Sequence, residues 1–124
     1  MLQIFLDTSV LSHDSLSQLS TELVDRVTLG DEFLLSVLTH FEILWGYKKA
    51  GLATARYESL LSRLDIEVAA LLQEDAITAA NKNSHRENLV DALIAATVSR
   101  YDALIWSKDA DFLRFLPKEK VVIV

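Results

Sequence analysis

Five short, largely apolar runs alternate with segments of helical periodicity along almost the whole chain. The runs cover residues 2–6, 33–38, 66–68, 103–106 and 121–124. Strands that are apolar on both faces are typical of a parallel sheet covered by helices on each side, whereas a sheet with one wet face alternates apolar and polar residues. The sequence therefore predicts an α/β fold with three layers, in which helices flank a central, mostly parallel sheet of four to five strands.

Apolar residues at helical spacing predict the elements between these strands. We expect helices over residues 15–29, 39–49, 53–63, 70–81 and 89–101, and a shorter one over residues 110–115. The polar stretch 81–88 is typical of a loop or of a frayed helix end. In such a fold the functional groups gather where the carboxyl ends of the strands meet the starts of the following helices.

The composition limits the chain to one well-packed domain without thiol chemistry. Its 124 residues suffice for a single domain over 1–124, and a hydrophobic share of 51% with only three Gly and one Pro excludes a largely disordered chain. The absence of Cys excludes disulfides, zinc–thiolate sites and a cysteine nucleophile. No signal-peptide pattern precedes Asp7, and no apolar run approaches the roughly 20 residues that span a bilayer, so we expect a cytoplasmic protein.

The net charge of −6 is unevenly distributed, because Arg26 is the only basic residue before Lys48. An acidic chain is a poor passive binder of nucleic acid, since phosphate contacts rely on Lys and Arg. A bound divalent cation would reverse the local charge and permit such contacts. The acidic surplus also suits a basic protein partner.

Several acids fall where strands end or helices begin: Asp7, Glu42, Asp91 and Asp109, with Asp111 shortly after the last. Because these positions share one rim of a parallel sheet, all five carboxylates can converge. Mutual repulsion would then raise their pKa values unless a cation lies between them. Oxygen ligands of this kind suit the hard ions Mg²⁺ and Mn²⁺, so the set as a whole predicts a divalent metal site.

Each acid taken singly has a structural explanation as a helix cap. The capping-box pattern or the N-cap position accounts for Thr39 with Glu42, Asn88 with Asp91, Asp7 and Asp109. Asp91 argues against capping alone, because it opens a helix that is apolar nearly all round and burial of a lone carboxylate costs several kcal/mol. For the set of acids, the metal site is the stronger explanation.

Four segments in order carry a family resemblance: FLDTSVL from Phe5, SVLTHFEILWGY from Ser36, VDALIAATVSRYDALIWS from Val90 and KDADF from Lys108. With these segments, which span nearly the full chain, the sequence resembles the PIN domain family and, within it, the VapC-like toxins. Many relatives have Asn-Asp at the start of the late helix, where this chain has Val90 and Asp91. The resemblance implies the PIN-like fold and a metal-dependent endoribonuclease that is the toxin of a toxin–antitoxin pair.

The resemblance also implies the roles of the site residues. Catalysis and the binding of Mg²⁺ or Mn²⁺ are assigned to Asp7, Glu42, Asp91 and Asp109. Asp111 is implied as an auxiliary acid. Ser107 and Thr8, with Ser9 next to it, are implied as auxiliary residues whose hydroxyls orient the carboxylates. An RNA substrate, a cognate antitoxin and a second copy in a homodimer are the implied partners.

Further residues are weaker candidates. The cations that could ring the acidic pocket and contact RNA are Lys48, Lys49, Lys82, Arg86 and Lys108. Aromatic and apolar residues around Glu42 could belong either to the core or to an antitoxin groove: Phe41, Leu44, Trp45 and Tyr47. His40 and His85 could be general bases, but we expect His40 to be structural and His85 to lie in a polar loop.

Other functions explain the pattern less well. An aspartyl-phosphate phosphatase needs Asp-x-Asp after the first strand, where this chain has Asp7-Thr8-Ser9. A phosphorylated receiver domain needs paired acids there and a Lys on a late strand, and a flap nuclease needs extra helical segments. The alternative from another class is an inactive PIN-like module that acts only by binding. The four acids argue against it, because a binding module has no use for a buried anionic cluster.

Overall fold

The computed structural model describes residues 1–11, 16–83 and 86–124. Strands and helices alternate along the chain: β1 (Gln3–Leu6), α1 (Thr8–Leu11), α2 (Leu16–Thr28), β2 (Glu32–Ser36), α3 (Val37–Lys49), α4 (Ala55–Arg63), β3 (Glu67–Ala69), α5 (Gln73–Lys82), α6 (Leu89–Arg100), β4 (Leu104–Ser107) and β5 (Val121–Ile123). Three short 3₁₀ turns cover Arg86–Asn88, Asp111–Arg114 and Lys118–Lys120. The predicted start of α2, at residue 15, lies outside the described residues. None of these helices is long and apolar enough to cross a membrane.

The five strands form one parallel sheet in the order β3-β2-β1-β4-β5. β1 lies at its centre, with Ile4 beside Phe33 of β2 and Leu104 of β4. The chain between β3 and β4, which holds α5 and α6, crosses from one side of β1 to the other. The predicted α/β fold is confirmed, and every strand pair in the described part of the chain is parallel.

Two hydrophobic cores lie on opposite faces of the sheet, because successive side chains of a strand alternate between the faces. In β1, Ile4 and Leu6 pack with one core, whereas Phe5 packs with the other. The first core includes residues of α1 to α4, and the second includes residues of α5, α6 and the turn Asp111–Arg114. Helices therefore cover each face of the sheet, which gives the three layers expected from the sequence.

The junction of β2 and α3 differs from the prediction. β2 ends at Ser36 and α3 begins at Val37, whereas the apolar pattern predicted a strand through residue 38. The Ser36 hydroxyl accepts a hydrogen bond from the Leu38 N–H at 3.1 Å and so caps the helix. Thr39 is already inside the helix, and its buried hydroxyl finds no hydrogen-bond partner among the described residues. The capping box predicted for Thr39 and Glu42 is therefore wrong.

α5 and α6 pack against each other as an antiparallel pair. The start of α5 meets the end of α6 through Asp75 and Arg100, and the end of α5 lies beside the start of α6 near Asn83 and Leu89. Because α6 runs back from the carboxyl edge of the sheet to the start of β4, its first turn lies at that edge. This arrangement brings the start of α6 close to the ends of β1 and β4.

Candidate active site

Asp7 directly follows β1, the central strand, and is only 8% exposed. Its Oδ2 accepts hydrogen bonds from the hydroxyls of Ser9 at 2.8 Å and Ser107 at 3.0 Å. The Ser9 hydroxyl in turn accepts a hydrogen bond from the Lys108 N–H at 3.0 Å. Hydroxyl groups from two neighbouring turns therefore fix the orientation of a nearly buried carboxylate at the carboxyl edge of the sheet.

Ser107, the last residue of β4, joins Asp7 to the turn that carries Asp109. Its buried hydroxyl donates to Asp7 and accepts a hydrogen bond from the Asp109 N–H at 3.2 Å. The Asp109 carboxylate accepts the Asp111 N–H at 2.9 Å, just where the 3₁₀ turn Asp111–Arg114 begins. The hydroxyl that was expected to orient a carboxylate thus contacts Asp7 directly.

Glu42 lies in the second turn of α3 and reaches back to the start of α1. Its Oε1 accepts a hydrogen bond from the Thr8 hydroxyl at 2.9 Å. Partial burial raises the pKa of the Glu42 carboxyl, the Thr8 hydrogen bond opposes this shift, and the negative charge of Asp7 adds to it. Thr8 therefore orients Glu42 in the way that Ser9 and Ser107 orient Asp7.

Asp91 lies in the first turn of α6, and its pKa is raised to about 6. Burial is the largest cause, and the negative charges of four other acids add to it: Asp7, Asp109, Asp111 and Glu42. Repulsion of this kind requires the five carboxylates to lie near one another, and we call this set the acidic rim. Asn88 makes no side-chain capping bond to α6, so the capping box predicted for Asn88 and Asp91 is wrong.

The chemistry of the acidic rim suits a hard divalent cation. All its donors are carboxylate oxygens, and burial together with neighbouring negative charge raises the pKa values of Asp91 and Glu42. In the part of the chain that the structure describes, no three His, Cys, Asp or Glu side chains are arranged so that they could hold an ion together. Mg²⁺ usually keeps several waters and needs only one or two carboxylates, so the rim fits such an ion without a ready-made cage.

The predicted RNA-contacting cations divide into two groups. Lys48 and Lys49 end α3, roughly 10 Å further along its axis than Glu42, so the helix carries them away from the acidic rim. Lys48 and Lys49 therefore lie further from the rim than the other three cations, and their contact with RNA stays a prediction. The others lie on the side of the rim, at the end of α5, before α6 and after β4: Lys82, Arg86 and Lys108.

The residues proposed for an antitoxin groove differ in their exposure to solvent. Phe41 is 64% exposed and Trp45 is 54% exposed, so both are available on the surface of α3. Leu44 is half-buried against the first core. Tyr47 is 6% exposed and its ring stacks on Tyr57, with 6.0 Å between the centroids. Of the two roles left open by the sequence, core or groove, Tyr47 therefore has the core role, because it lies on the inward face of α3.

His40 contacts the core through a hydrogen bond. Its Nδ1 lies 2.7 Å from the hydroxyl of Tyr57, which is fully buried. Burial, and then the neighbouring Tyr47, raises the pKa of Tyr57. His40 therefore has a structural partner, as expected, whereas His85 lies outside the described residues.

One cation beside the rim was missed in the sequence. Arg114, in the 3₁₀ turn after β4, donates from Nη1 to Oδ1 of Asn88 at 3.2 Å. Because Asn88 immediately precedes α6 and Asp91, this bond holds a guanidinium close to the acidic rim. Residues 88 and 114 are separated by α6 and β4, so no local pattern links them, and only the fold brings them together.

Comparisons with known proteins place this architecture in a family. A family model described as the PIN domain matches residues 4–115. No curated protein gives a significant match. Among solved structures, three matches each have a TM-score of 0.65: the "toxin-antitoxin complex from Klebsiella pneumoniae", VapBC2 from Rickettsia felis bound to a DNA fragment from their promoter, and FitAcB from Neisseria gonorrhoeae.

These structural likenesses extend over nearly the full length of both chains in each pair. The Klebsiella pneumoniae match is 18% identical and covers 96% of this chain and 95% of the other. The Rickettsia felis match is 16% identical and covers 92% and 93%, in the same order. The Neisseria gonorrhoeae match is 19% identical and covers 98% and 96%. At such low identity they show a common fold and not a common activity. The family model covers most of the sequence and includes the whole acidic rim, and the chain therefore belongs to the PIN domain family.

Proposed function

We propose that this PIN domain is a metal-dependent endoribonuclease, which hydrolyses phosphodiester bonds in RNA. The observation that supports this most strongly is the convergence of the acidic rim, in which the charges of four acids act on Asp91. The helix caps that would have explained Glu42 and Asp91 structurally are not formed. Carboxylates that are gathered against their mutual repulsion, two of them without a capping role, are typical of a functional site.

In this proposal the chain supplies oxygen ligands that are already oriented. Asp7, Asp91 and Asp109 would hold the ion directly or through water, and Glu42 would hold a second ion or orient the attacking water. A divalent cation, Mg²⁺ or Mn²⁺, supplies Lewis-acid stabilisation of the phosphate and activates water near neutral pH. The hydroxyls that hydrogen-bond to Asp7 and Glu42 reduce the freedom these ligands lose when the ion binds.

RNA is the proposed substrate. The bound cation would screen the acidic rim from the phosphate backbone, and Asp111 would act as an auxiliary acid. Lys82, Arg86 and Lys108 lie on the side of the rim and supply the positive charge that an acidic chain needs for such contacts.

We further propose that the protein is the toxin of a toxin–antitoxin pair in the cytoplasm, that a cognate antitoxin binds it and that it forms a homodimer. The solved structures that share its fold include a toxin–antitoxin complex. Phe41 and Trp45 form an exposed aromatic surface on α3, which suits contact with a protein partner.

RNA cleavage by the purified protein, free of any partner, tests the ribonuclease proposal. The assay compares Mg²⁺, Mn²⁺ and EDTA on total RNA and on a panel of tRNAs. Asp7→Asn keeps the size of the side chain and an oxygen acceptor for Ser9 and Ser107, but removes the charge. Asp25→Asn is the matched control, because Asp25 is exposed near the end of α2 and does not belong to the acidic rim.

We expect cleavage that requires the divalent ion, is retained in Asp25→Asn and falls at least about 100-fold in Asp7→Asn. Loss of a direct ligand should exceed the roughly 10–100-fold loss that is typical of an outer partner. Circular dichroism checks that each variant is folded. If the folded wild type cuts neither RNA preparation and binds no divalent ion, the proposal fails and the chain is an inactive binding module.

A further inference from the structure

The acidic rim passes into a group of cations at the start of α6, which we call the basic edge. It consists of Lys82 at the end of α5, Arg86 in the turn before α6, and Arg114 in the turn after β4. The Lys82 ammonium donates to the carbonyl of Phe115 at 3.4 Å, which is next to Arg114 in the chain. All three basic side chains are exposed, so three separate elements bring positive charge to one part of the surface.

Arg114 lies one turn of the 3₁₀ segment Asp111–Arg114 after Asp111, which belongs to the acidic rim. A 3₁₀ turn has three residues per turn, so Arg114 and Asp111 lie on the same side of it. Asn88 and Asp91 are likewise three residues apart and share a face at the start of α6. The charge of Asp111 acts on Asp91, while Arg114 hydrogen-bonds to Asn88, so the two pairs lie alongside each other. The Arg114 side chain therefore lies beside the acid pair of Asp91 and Asp111.

Two aromatic anchors hold the turn that carries Arg114. Phe112 and Phe115 are buried in the second core, on either side of Arg114 in the sequence. Because these side chains point inwards, Asp111 and Arg114 project from the surface of a fixed turn. The position of the guanidinium thus depends on core packing and on its bond to Asn88.

Three other cations of the chain have acidic partners, and the basic edge differs from these three. Ion pairs join Arg26 to Asp31, Arg100 to Asp75 and Lys120 to Asp102. No comparable ion pair of Lys82, Arg86 or Arg114 occurs among residues 1–11, 16–83 and 86–124. In a chain with a net charge of −6, exposed cations without acidic partners are available to an external anion.

We propose that the basic edge is a phosphate-binding subsite for single-stranded RNA, in which Arg114 receives the phosphate next to the one at the acidic rim. This inference rests on the proposed ribonuclease function and gives the RNA strand a path, from the rim over the start of α6 to Lys82 and Arg86. The guanidinium can donate two parallel hydrogen bonds to phosphate oxygens while Asn88 holds it in place.

Binding of a short, fluorescently labelled single-stranded RNA of mixed sequence tests this subsite. The measurements use full-length Asp7→Asn protein in Mg²⁺, so that binding is not obscured by cleavage, and cover a range of salt concentrations. Arg114→Ala is added to this background and compared with Arg56→Ala, which removes an exposed cation of α4 on the other face of the sheet. Arg86→Ala is a second variant in a different element, so a local defect in the turn of Arg114 cannot explain both results.

We expect Arg114→Ala to weaken binding at least about 10-fold, as for the loss of charge-assisted hydrogen bonds, and to reduce the salt slope by about 0.7. Arg86→Ala should reduce both quantities less, and Arg56→Ala should change neither. Equal losses in Arg114→Ala and Arg56→Ala, or no RNA binding at all, overturn the inference. If the wild type cuts RNA and Arg114→Ala binds and cuts equally well, the subsite fails while the ribonuclease function stands. If Arg114→Ala loses binding but the wild type does not cut, the ribonuclease function fails and the subsite stands.

Discussion

Asp75 in α5 lies beside the end of α6, whereas Asp91 lies in the first turn of α6, and the surroundings of the two carboxylates differ in charge. Asp75 is 1% exposed and accepts hydrogen bonds from Arg100 at 2.9 Å, Thr97 at 3.0 Å and the Leu72 N–H at 3.0 Å. Burial alone would raise the pKa of Asp75, but these donors outweigh it and leave the pKa below its ordinary value. At Asp91, burial and neighbouring acids act in the same direction and raise the pKa to about 6.

The two surroundings differ in whether a basic side chain balances the charge of the carboxylate. Asp75 joins the start of α5 to the end of α6, and a guanidinium compensates its charge. In the acidic rim, the hydroxyls of Thr8 and Ser9 orient Glu42 and Asp7 but bring no positive charge. The rim therefore lacks the positive charge that a bound cation would supply. This contrast is the physical reason for assigning a structural role to Asp75 and a functional role to the rim.

The largest expected effect on stability comes from breaking the ion pair between Asp75 and Arg100. Asp75→Asn removes the charge that balances Arg100, and breaking one partner of a buried ion pair costs about 3–5 kcal/mol. We expect the free energy of unfolding, measured in urea, to fall by about 3 kcal/mol, because the amide keeps part of the hydrogen bonding.

Asp102→Asn is the matched control for Asp75→Asn. Asp102 also forms an ion pair at 2.9 Å, with Lys120, but its side chain is 89% exposed. Water screens such a pair, so the free energy of unfolding should change little. Similar losses in the two variants would show that burial does not distinguish the two pairs and would break the comparison between Asp75 and Asp91.

The sheet and the acidic rim could be predicted from the sequence because both depend on chain order. Apolar runs of strand length predicted β1 and β4, and parallel strands place Asp7 and Asp109 at the same edge. The start of α6 returns to that edge for the same reason, since α6 has to lead into the beginning of β4. The convergence of the acidic rim could therefore be predicted without knowing any side-chain contact.

Hydrogen-bond partners could not be predicted in the same way. The capping box at Thr39 failed because Ser36 caps α3 earlier, and two adjacent patterns of similar quality compete there. Asp75 attracted no notice, because its partner Arg100 is 25 residues away and nothing local marks the pair. Inward and outward residues of α3, such as Tyr47 and Trp45, are distinguished only by how the helix packs on the sheet.

A smaller change in the free energy of unfolding, opposite in sign, is expected at Asp91, where no positive charge of the described residues balances the carboxylate. Asp91→Asn removes a charge that is unfavourable in the folded, metal-free protein. A shift of the pKa from 3.8 to about 6 corresponds to roughly 3 kcal/mol, and partial exposure to water reduces it. We expect Asp91→Asn to raise the free energy of unfolding in EDTA at neutral pH by about 2 kcal/mol, while RNA cleavage in Mg²⁺ is lost.

The pH dependence sharpens this prediction. The folded carboxyl of Asp91 binds its proton more tightly than the unfolded one, so its ionisation destabilises the fold progressively as pH rises from about 4 to about 6. Below that range the carboxyl is neutral in both states. The advantage of Asp91→Asn over the wild type should therefore vanish near pH 4 and be complete by pH 7. A variant that is less stable than the wild type at pH 7 would show that Asp91 is structural after all.

The smallest expected effect comes from a hydroxyl that orients a rim carboxylate. Thr8→Val keeps the shape of the side chain but removes the hydrogen bond to Glu42, so the pKa of Glu42 should rise further. The free energy of unfolding should change by about 1 kcal/mol or less, whereas cleavage in Mg²⁺ should fall about 10-fold, as for an outer partner of a metal ligand. Thr28→Val is the control, because the Thr28 hydroxyl donates to the Val24 carbonyl on the exposed side of α2. A loss of stability without a loss of cleavage would mean that Thr8 supports α1 and not the acidic rim.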